Sequence, residues 1–349
     1  MKAKANIIAG TLIGAVFIWL AFRGTDFSTL GSSFRSADYR WLIPAVLLSV
    51  MVQLVRSYRW GVILEPLKKI DQWSLFSATS VGFMAISLLP VRMGEFVRPY
   101  LISRKSDLRL GATLATIVVE RVFDMLTLMI MLLFIVWSSS KKLIVLPPWI
   151  SRSAYIILGV TIPLLLLLIC VAIKRDVSAK VIDRIIKLLP HALSDRLTRL
   201  VHSFLDGLQI LPDWRKSSYL ALLSLITWFL IGLINYSLFK SFTSMAHLSL
   251  AAAYTVLLIT ALGITLPTAP GFVGNYHFFC VLGLALFGIA KADALTYAIL
   301  IHGLQFAIII ILGLVFIIVG FVLSATIIGA IIGIPLIIFG LLLIIRGLF

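Results

Sequence analysis

Residues 88–101 read "LLPVRMGEFVRPYL", an apolar approach followed by Arg92, Glu95 and Arg98 where a membrane helix would leave the bilayer. The side of that exit decides the fold. A second apolar run, further along the chain, ends in "LPTAPGFVGNY" at residues 266–276. Both contain Leu-Pro, three residues and then Gly: Pro90 to Gly94, and Pro267 to Gly271. The second break carries no charge.

Around these two stretches the 349-residue chain is 61% hydrophobic and 13% charged, with mean hydropathy +1.11. A soluble domain of that composition has too few polar residues to cover itself. Many runs approach or exceed the roughly 20 residues needed to cross hydrocarbon. The composition therefore predicts an all-α polytopic membrane protein; a barrel would instead show short alternating segments. The net charge of +16 is read as basic residues holding cytoplasmic loops inside and meeting anionic headgroups, rather than as nucleic-acid binding. Cys170 and Cys280 lie in apolar stretches without partner spacing, so neither a disulfide framework nor a zinc site is expected. Lys2 and Lys4 precede an apolar run from Ile7 to Phe22 with no small-residue cleavage site before Arg23. That reads as a first helix spanning the cytoplasmic (inner) membrane, with its N-terminus on the inside.

Working outward from there, segment 23–40 is outside, and Arg56, Arg59, Lys68 and Lys69 are inside. If the run 73–90 crossed fully, Arg92, Arg98, Arg104, Lys105 and Arg109 would be outside, against the positive-inside rule. The conflict disappears if residues 73–103 form a re-entrant hairpin that turns at Pro90–Gly94 and returns to the same side. Broken backbone at membrane depth is tolerated where protein or a wet cavity surrounds it. Helix 110–137 then goes out, 153–173 comes back, and the cytoplasmic amphipathic region 174–216 carries nine Lys/Arg and five Asp. There Leu193, Leu197, Leu200, Phe204 and Leu208 recur every three or four residues, a helix lying on the inner leaflet or packed on the cytoplasmic helix ends. Helix 217–239 goes out, and 249–289 forms a second re-entrant hairpin of opposite orientation, turning at Pro267, Pro270, Gly271 and Gly274. Residues 294–322 return. The expected architecture is about seven spanning helices plus two opposed hairpins, an inverted repeat whose breaks sit where transporters bind substrate. A transmembrane domain over residues 1–323 is followed by a C-terminal helix within 324–349, whose Gly329, Gly333 and Gly340 permit close packing.

Helix 110–137 contains "VVERVFDML". Glu120, Arg121 and Asp124 fall near its middle, where each unpaired charge costs about 2.5–3.5 kcal/mol. Glu120 and Asp124 are four apart and share a face, while Arg121 is three from Asp124. Such a turn faces protein or a wet cavity, either as a buried ion network or as an anion-accepting site in which Arg121 meets the ligand and the carboxylates orient it. Arg56 and Arg59, three apart in "RSYRW", read as a second cationic face or as interfacial anchors beside Trp60. Arg92, Glu95 and Arg98 are spaced so that one carboxylate bridges two guanidiniums, holding an anionic headgroup or anchoring the hairpin. Gly94 gives the close backbone approach a buried turn needs.

With "VRSYRWGVIL" (55–64), "LLPVRMGEFVRPYLI" (88–102), "VVERVFDML" (118–126) and "LPTAPGFVGNYH" (266–277) in view, the chain resembles the flippase-like integral membrane family that includes the transmembrane region of lysylphosphatidylglycerol synthases. The resemblance covers roughly residues 5–320. No long polar region accompanies it, so the aminoacyl-transfer domain of the full synthases is not expected. The resemblance implies movement of an anionic lipid between leaflets, a modified phosphatidylglycerol or a polyprenyl-phosphate-linked glycan. Relatives usually carry Pro-Gly-Gly-x-Gly with a glutamate three residues later, and an arginine in the following helix. Here Phe272 replaces the second Gly, and His277 and His302 stand near the two charged positions. The substitution admits a pH-sensitive outer half or a simple hydrogen-bonded pair. Lipid transport is thus the leading expectation, with no cofactor and with anionic lipids as partners. A membrane-embedded transferase on a lipid-linked substrate is the alternative, supported by Glu95, Glu120 and Asp124, although no nucleotide loop, metal cluster or nucleophilic triad accompanies them. A third reading is a scaffold for a lipid-modifying partner enzyme.

Overall fold

The computed structural model describes residues 2–89, 94–140, 152, 159, 162–163, 166–167, 169–186, 191–208, 210–265, 269–325, 338 and 340. The described residues form twelve α-helices: α1 (Lys2–Phe22), α2 (Phe27–Ser36), α3 (Leu42–Leu64), α4 (Gln72–Leu88), α5 (Val97–Ser106), α6 (Leu110–Ser140), α7 (Arg175–Ile186), α8 (His191–Gly207), α9 (Trp214–Phe239), α10 (Leu250–Gly263), α11 (Asn275–Ala285) and α12 (Lys291–Ala325). No strand occurs among them. Pro90, Arg92 and Pro267, most of the apolar run 153–173 and most of the tail 324–349 lie outside the described residues.

Among the described residues three stretches are long and apolar enough to cross a bilayer by length and composition: Tyr39–Leu64, Trp214–Phe239 and Lys291–Val322. The 31-residue α6 has the length but is interrupted by its three charges. Among the shorter helices, four form two consecutive pairs. α4 has 17 residues and α5 has 10, about 25 and 15 Å at 1.5 Å per residue. α10 has 14 and α11 has 11, about 21 and 16 Å by the same rise.

The short helices pair in sequence order, α4 with α5 and α10 with α11. Within each pair the second helix folds back along the first. Lys105 at the end of α5 bonds Ser74 at the start of α4, and the Lys68 ammonium donates to the Ser106 carbonyl at 2.9 Å. In the second pair Asn275 donates to the Gly263 carbonyl across the turn at 3.0 Å, and Gly283 lies against Val256. The polar ends form where the sequence supplies caps: Asp71 accepts from the Ser74 N–H, Asp213 from Arg215 and Lys216, and Ser249 from Ala252. At α2 the Asp26 carboxyl is held down to about 2 by the Ser28 hydroxyl, the Ser28 N–H and the Thr29 hydroxyl.

One end of the molecule gathers Glu65 with Lys216, and Asp206 with Arg109 and Arg175; exposed Trp73 and Trp214 stand beside it. At the other end Ser33 bonds Asp293 and Lys291 donates to the Leu20 and Arg23 carbonyls, with Trp19, Phe27 and Trp41 exposed nearby. Two aromatic and polar rims around an apolar belt match the anatomy of a membrane protein.

Between the rims, α3 packs along α9, α12 along α4, and α11 along α12. The largest core joins Val52, Leu238, Phe239, Val256, Cys280, Leu284, Tyr297 and Ile301. The amphipathic region 174–216 is two helices, and α8 is committed to protein along much of its apolar face. Leu205, Leu208 and Ile210 bury against Ala115, Val119 and Phe123. A Cβ on Gly207 would lie 2.3 Å from the Ala112 carbonyl oxygen, so the contact with α6 is backbone-close. Leu200 remains exposed.

Candidate functional site

Charges at membrane depth must find partners on neighbouring helices, and four helices contribute them here. α6 contributes Glu120, Arg121 and Asp124. From α3, Arg59 donates to Asp124 Oδ1 at 2.7 Å and to the Ser224 hydroxyl of α9 at 2.6 Å, and lies 3.2 Å from Glu120 Oε1. From α5, Arg98 donates to Glu120 Oε2 at 2.7 Å. Arg121 sits 3.4 Å from Glu120 Oε1 and 3.6 Å from Asp124 Oδ2. The Trp228 indole of α9 donates to Asp124 at 3.1 Å.

The network is graded in exposure. The Arg59 and Glu120 side chains are 1% exposed, Asp124 11% and Arg121 33%. Arg121 is thus its accessible edge. Aromatic faces complete the surroundings: the Arg98 guanidinium lies 4.6 Å from the Trp60 ring and 5.5 Å from Phe83, and Arg56 lies 4.7 Å from Phe83 on the same ring system. Trp60 is fixed by its own bond to Thr116 at 3.0 Å.

Glu95 lies in the short 3-10 turn 94–96 and lines a small cavity with Gly82, Phe83, Ile86, Arg98, Ile117 and Arg121. Its volume of about 10 Å³ has room for one water. Four guanidiniums (Arg56, Arg59, Arg98, Arg121) face three carboxylates (Glu95, Glu120, Asp124), leaving positive charge over. Arg59 Nε, Arg98 Nη1 and Arg121 Nε, all buried, find no hydrogen-bond partner among the described residues. Burying an unsatisfied charged donor is costly, and a phosphate oxygen is the acceptor such donors fit.

The two chain breaks meet at the end of α4. A Cβ on Gly94 would fall 2.1 Å from the Ile86 nitrogen, and one on Gly271 would fall 3.3 Å from the Ser87 carbonyl oxygen. Gly271 and Gly274 have φ of +67° and +99°, the region glycine enters without Cβ strain. Phe272, between them, has φ +58°, a conformation that costs an L-residue about 1–2 kcal/mol. Pro270 opens this 3-10 turn.

His277 and His302 form a second cluster at that turn, held separately from the arginines. His302 Nε2 is 2.8 Å from the Gly271 carbonyl, so it donates, leaving Nδ1 as an acceptor. His277 Nε2 lies 3.4 Å from that Nδ1, and His277 Nδ1 in turn accepts the Gly274 N–H at 3.4 Å. One tautomer assignment satisfies all three bonds, and it requires both rings neutral. Tyr276 stacks on His302 at 4.5 Å.

Sequence reasoning grouped Glu120, Arg121 and Asp124, and separately Arg56 with Arg59. The fold makes Arg59 the hub and Arg121 the edge. Ser224, Trp228 and Phe83 escaped it, because an isolated Ser, Trp or Phe in an apolar run carries no signal until another helix is set beside it.

A family model described as the lysylphosphatidylglycerol synthase TM region matches residues 7–313. Glycosyltransferase AglD of Haloferax volcanii is 22% identical over 334 residues, which cover 89% of this chain and 54% of that protein. The chain spans about half the length of that relative.

Proposed function

The chain belongs to the family of the lysylphosphatidylglycerol synthase transmembrane region, and from that premise we propose that it carries an anionic lipid between membrane leaflets. The observation that carries the proposal is the buried arginine-rich network in which, among the described residues, guanidiniums outnumber carboxylates and retain N–H groups without a partner. In this reading α4–α5 and α10–α11 are re-entrant hairpins, too short to span about 30 Å of hydrocarbon and each returning to its starting end. The end bearing Lys68, Lys105 and Lys216 is the cytoplasmic one, as the positive-inside rule prefers, and the membrane is the inner membrane. The breaks abut at residues 85–87, where parting of the hairpins would open the network to a headgroup while the tails stay in lipid. Arg56, Arg59, Arg98 and Arg121 then bind the headgroup, Glu95, Glu120 and Asp124 orient them, and Arg92 belongs with them by its place in the first break. His277 and His302 hold the second break.

The test is leaflet exchange of a labelled anionic phospholipid in liposomes. Arg121→Gln, at the accessible edge, should fold and slow exchange by about tenfold, the equivalent of one lost charge-assisted hydrogen bond. Unchanged exchange in both Arg121→Gln and Arg98→Gln would overturn the proposal.

The second reading is a transferase on a lipid-linked substrate, favoured by the glycosyltransferase name of the relative. Its weakness is that both oxygens of Glu120 are already engaged by guanidiniums, so the carboxylate is held in an ion network instead of being presented to an incoming nucleophile. Mass spectrometry of the lipids after incubation separates the two, since only an enzyme changes the mass.

A further inference from the structure

The stripe of α6 that carries Glu120 and Asp124 continues, at the same three- and four-residue spacing, through Thr127, Met131 and Phe134. Within two turns its chemistry changes from carboxylate, through the Thr127 hydroxyl, to hydrocarbon. α9 changes in step. Ser224 and Trp228 bond the network, whereas Leu225, Ile226 and Phe229 join the α6 residues, with Ala251 and Tyr254 of α10, around a laterally open groove of about 440 Å³. That size lies within the roughly 300–1,000 Å³ of pockets that hold small molecules.

The groove has a fixed wall. Tyr254 lies against Gly232, where a Cβ would come within 2.0 Å of the ring, and its hydroxyl donates to the Phe229 carbonyl at 3.1 Å. From Thr127 to Ile135 the groove runs about 12 Å along α6 at 1.5 Å per residue. It starts three residues beyond Asp124 and leads away from the end where Arg109 and Asp206 sit. Charge and hydrocarbon therefore follow one another along α6 and stand side by side on α9, within reach of the two ends of one amphiphile.

We propose that this groove holds one acyl chain of the anionic glycerophospholipid whose headgroup the arginine network takes, an inference that rests on the transport reading above. The positive excess beside the groove selects an anionic lipid over a zwitterionic one. The posture, headgroup toward the basic end and chain toward the bilayer centre, is that of a lipid drawn from the leaflet at the basic end. Phe229 and Tyr254 line the chain, and Trp228 marks the boundary between chain and headgroup.

The experiment uses the full chain in phosphatidylcholine vesicles containing a trace of phosphatidylglycerol with a diazirine near the end of one acyl chain. Photolabel should fall on peptides carrying Met131, Phe229 and Tyr254, and should be displaced by unlabelled phosphatidylglycerol but not by added phosphatidylcholine. Ile226→Trp and Leu225→Trp, both at partly exposed positions, fill the groove. Each should lower the label and the leaflet exchange about tenfold, equivalent to losing the burial of two methylenes. Label spread evenly around the apolar belt, or displaced equally by phosphatidylcholine, would overturn the inference and identify ordinary surrounding lipid. Displacement by a polyprenyl phosphate but not by phosphatidylglycerol would overturn the assigned occupant. The transport reading fails separately, if Arg121→Gln and Arg98→Gln both leave exchange intact whatever the groove binds.

Discussion

Glu120 is the residue on which the buried network turns, since Arg59, Arg98 and Arg121 all reach it. Removing one partner of a buried ion pair leaves an uncompensated charge, at a cost of about 3–5 kcal/mol. Glu120→Gln should therefore lower thermal stability in detergent by about 3 kcal/mol, read by a shift of the unfolding midpoint. The double variant Glu120→Gln/Arg98→Gln should recover part of that loss, because it removes the stranded cation as well; no recovery would mean that the cost is packing rather than charge. At the second cluster, adding a proton to His277 or His302 sets donor against donor in the chain of bonds from Gly274 to Gly271. The histidines thus brace both sides of the turn only while neutral. The spacing of Glu120, Arg121 and Asp124 was legible as a charged turn, but the identity of their partners was not, because Arg59, Arg98 and Ser224 stand 61, 22 and 104 residues from Glu120.

Helix elements are limited by how closely their backbones approach. Gly94 touches the backbone of Ala85 and Ile86, where a Cβ would meet atoms at 2.1 to 2.5 Å. Gly303, inside α12, has nothing within 4 Å of its Cβ position. Gly94→Ala should therefore destabilise the α4–α5 pair, while Gly303→Ala should be neutral or gain up to about 1 kcal/mol from helix propensity. Opposite midpoint shifts of the two variants in a thermal scan test this, and equal shifts would refute the close contact. The Leu-Pro-x-x-x-Gly pattern exposed both breaks in the sequence. The helix lengths around them, 17 and 10 residues and then 14 and 11, came from the caps at Asp71 and Ser249 and from the positive φ angles at Gly271 and Gly274. The face used by α8 was open between lipid and protein, since an apolar stripe does not say what covers it. Contact with Ala112 and Ser203 against Gly111 decided it for protein.

Across the whole molecule, the basic rim and the opposite rim give the topology a direct test. Cysteines placed at Lys105 and Gly288 in a chain lacking Cys170 and Cys280 should react with an impermeant thiol reagent from opposite faces of intact cells, Lys105→Cys from the cytoplasm and Gly288→Cys from outside. Labelling of both from one face would collapse the opposed-hairpin arrangement. Lys105 is already seen beside Ser74 at the mouth of the first pair. Its partner segment is therefore fixed by the fold, and the experiment reads only which compartment that mouth faces.

Composition and hydropathy by themselves determined that the chain is helical and membrane-bound, because a surface this apolar has no other solvent and the bilayer sets helix length. The charge pattern predicted a first pair that returns to its own side, and the charges in "VVERVFDML" marked the candidate site. Tertiary structure alone decided that Arg59 is the hub, that Arg121 is the accessible edge, and that both breaks abut at residues 85–87. It also set an apolar groove beside the arginines. Periodicity reports which side chains share a face, whereas pairing across helices depends on contacts between residues far apart in the chain, which no local pattern encodes.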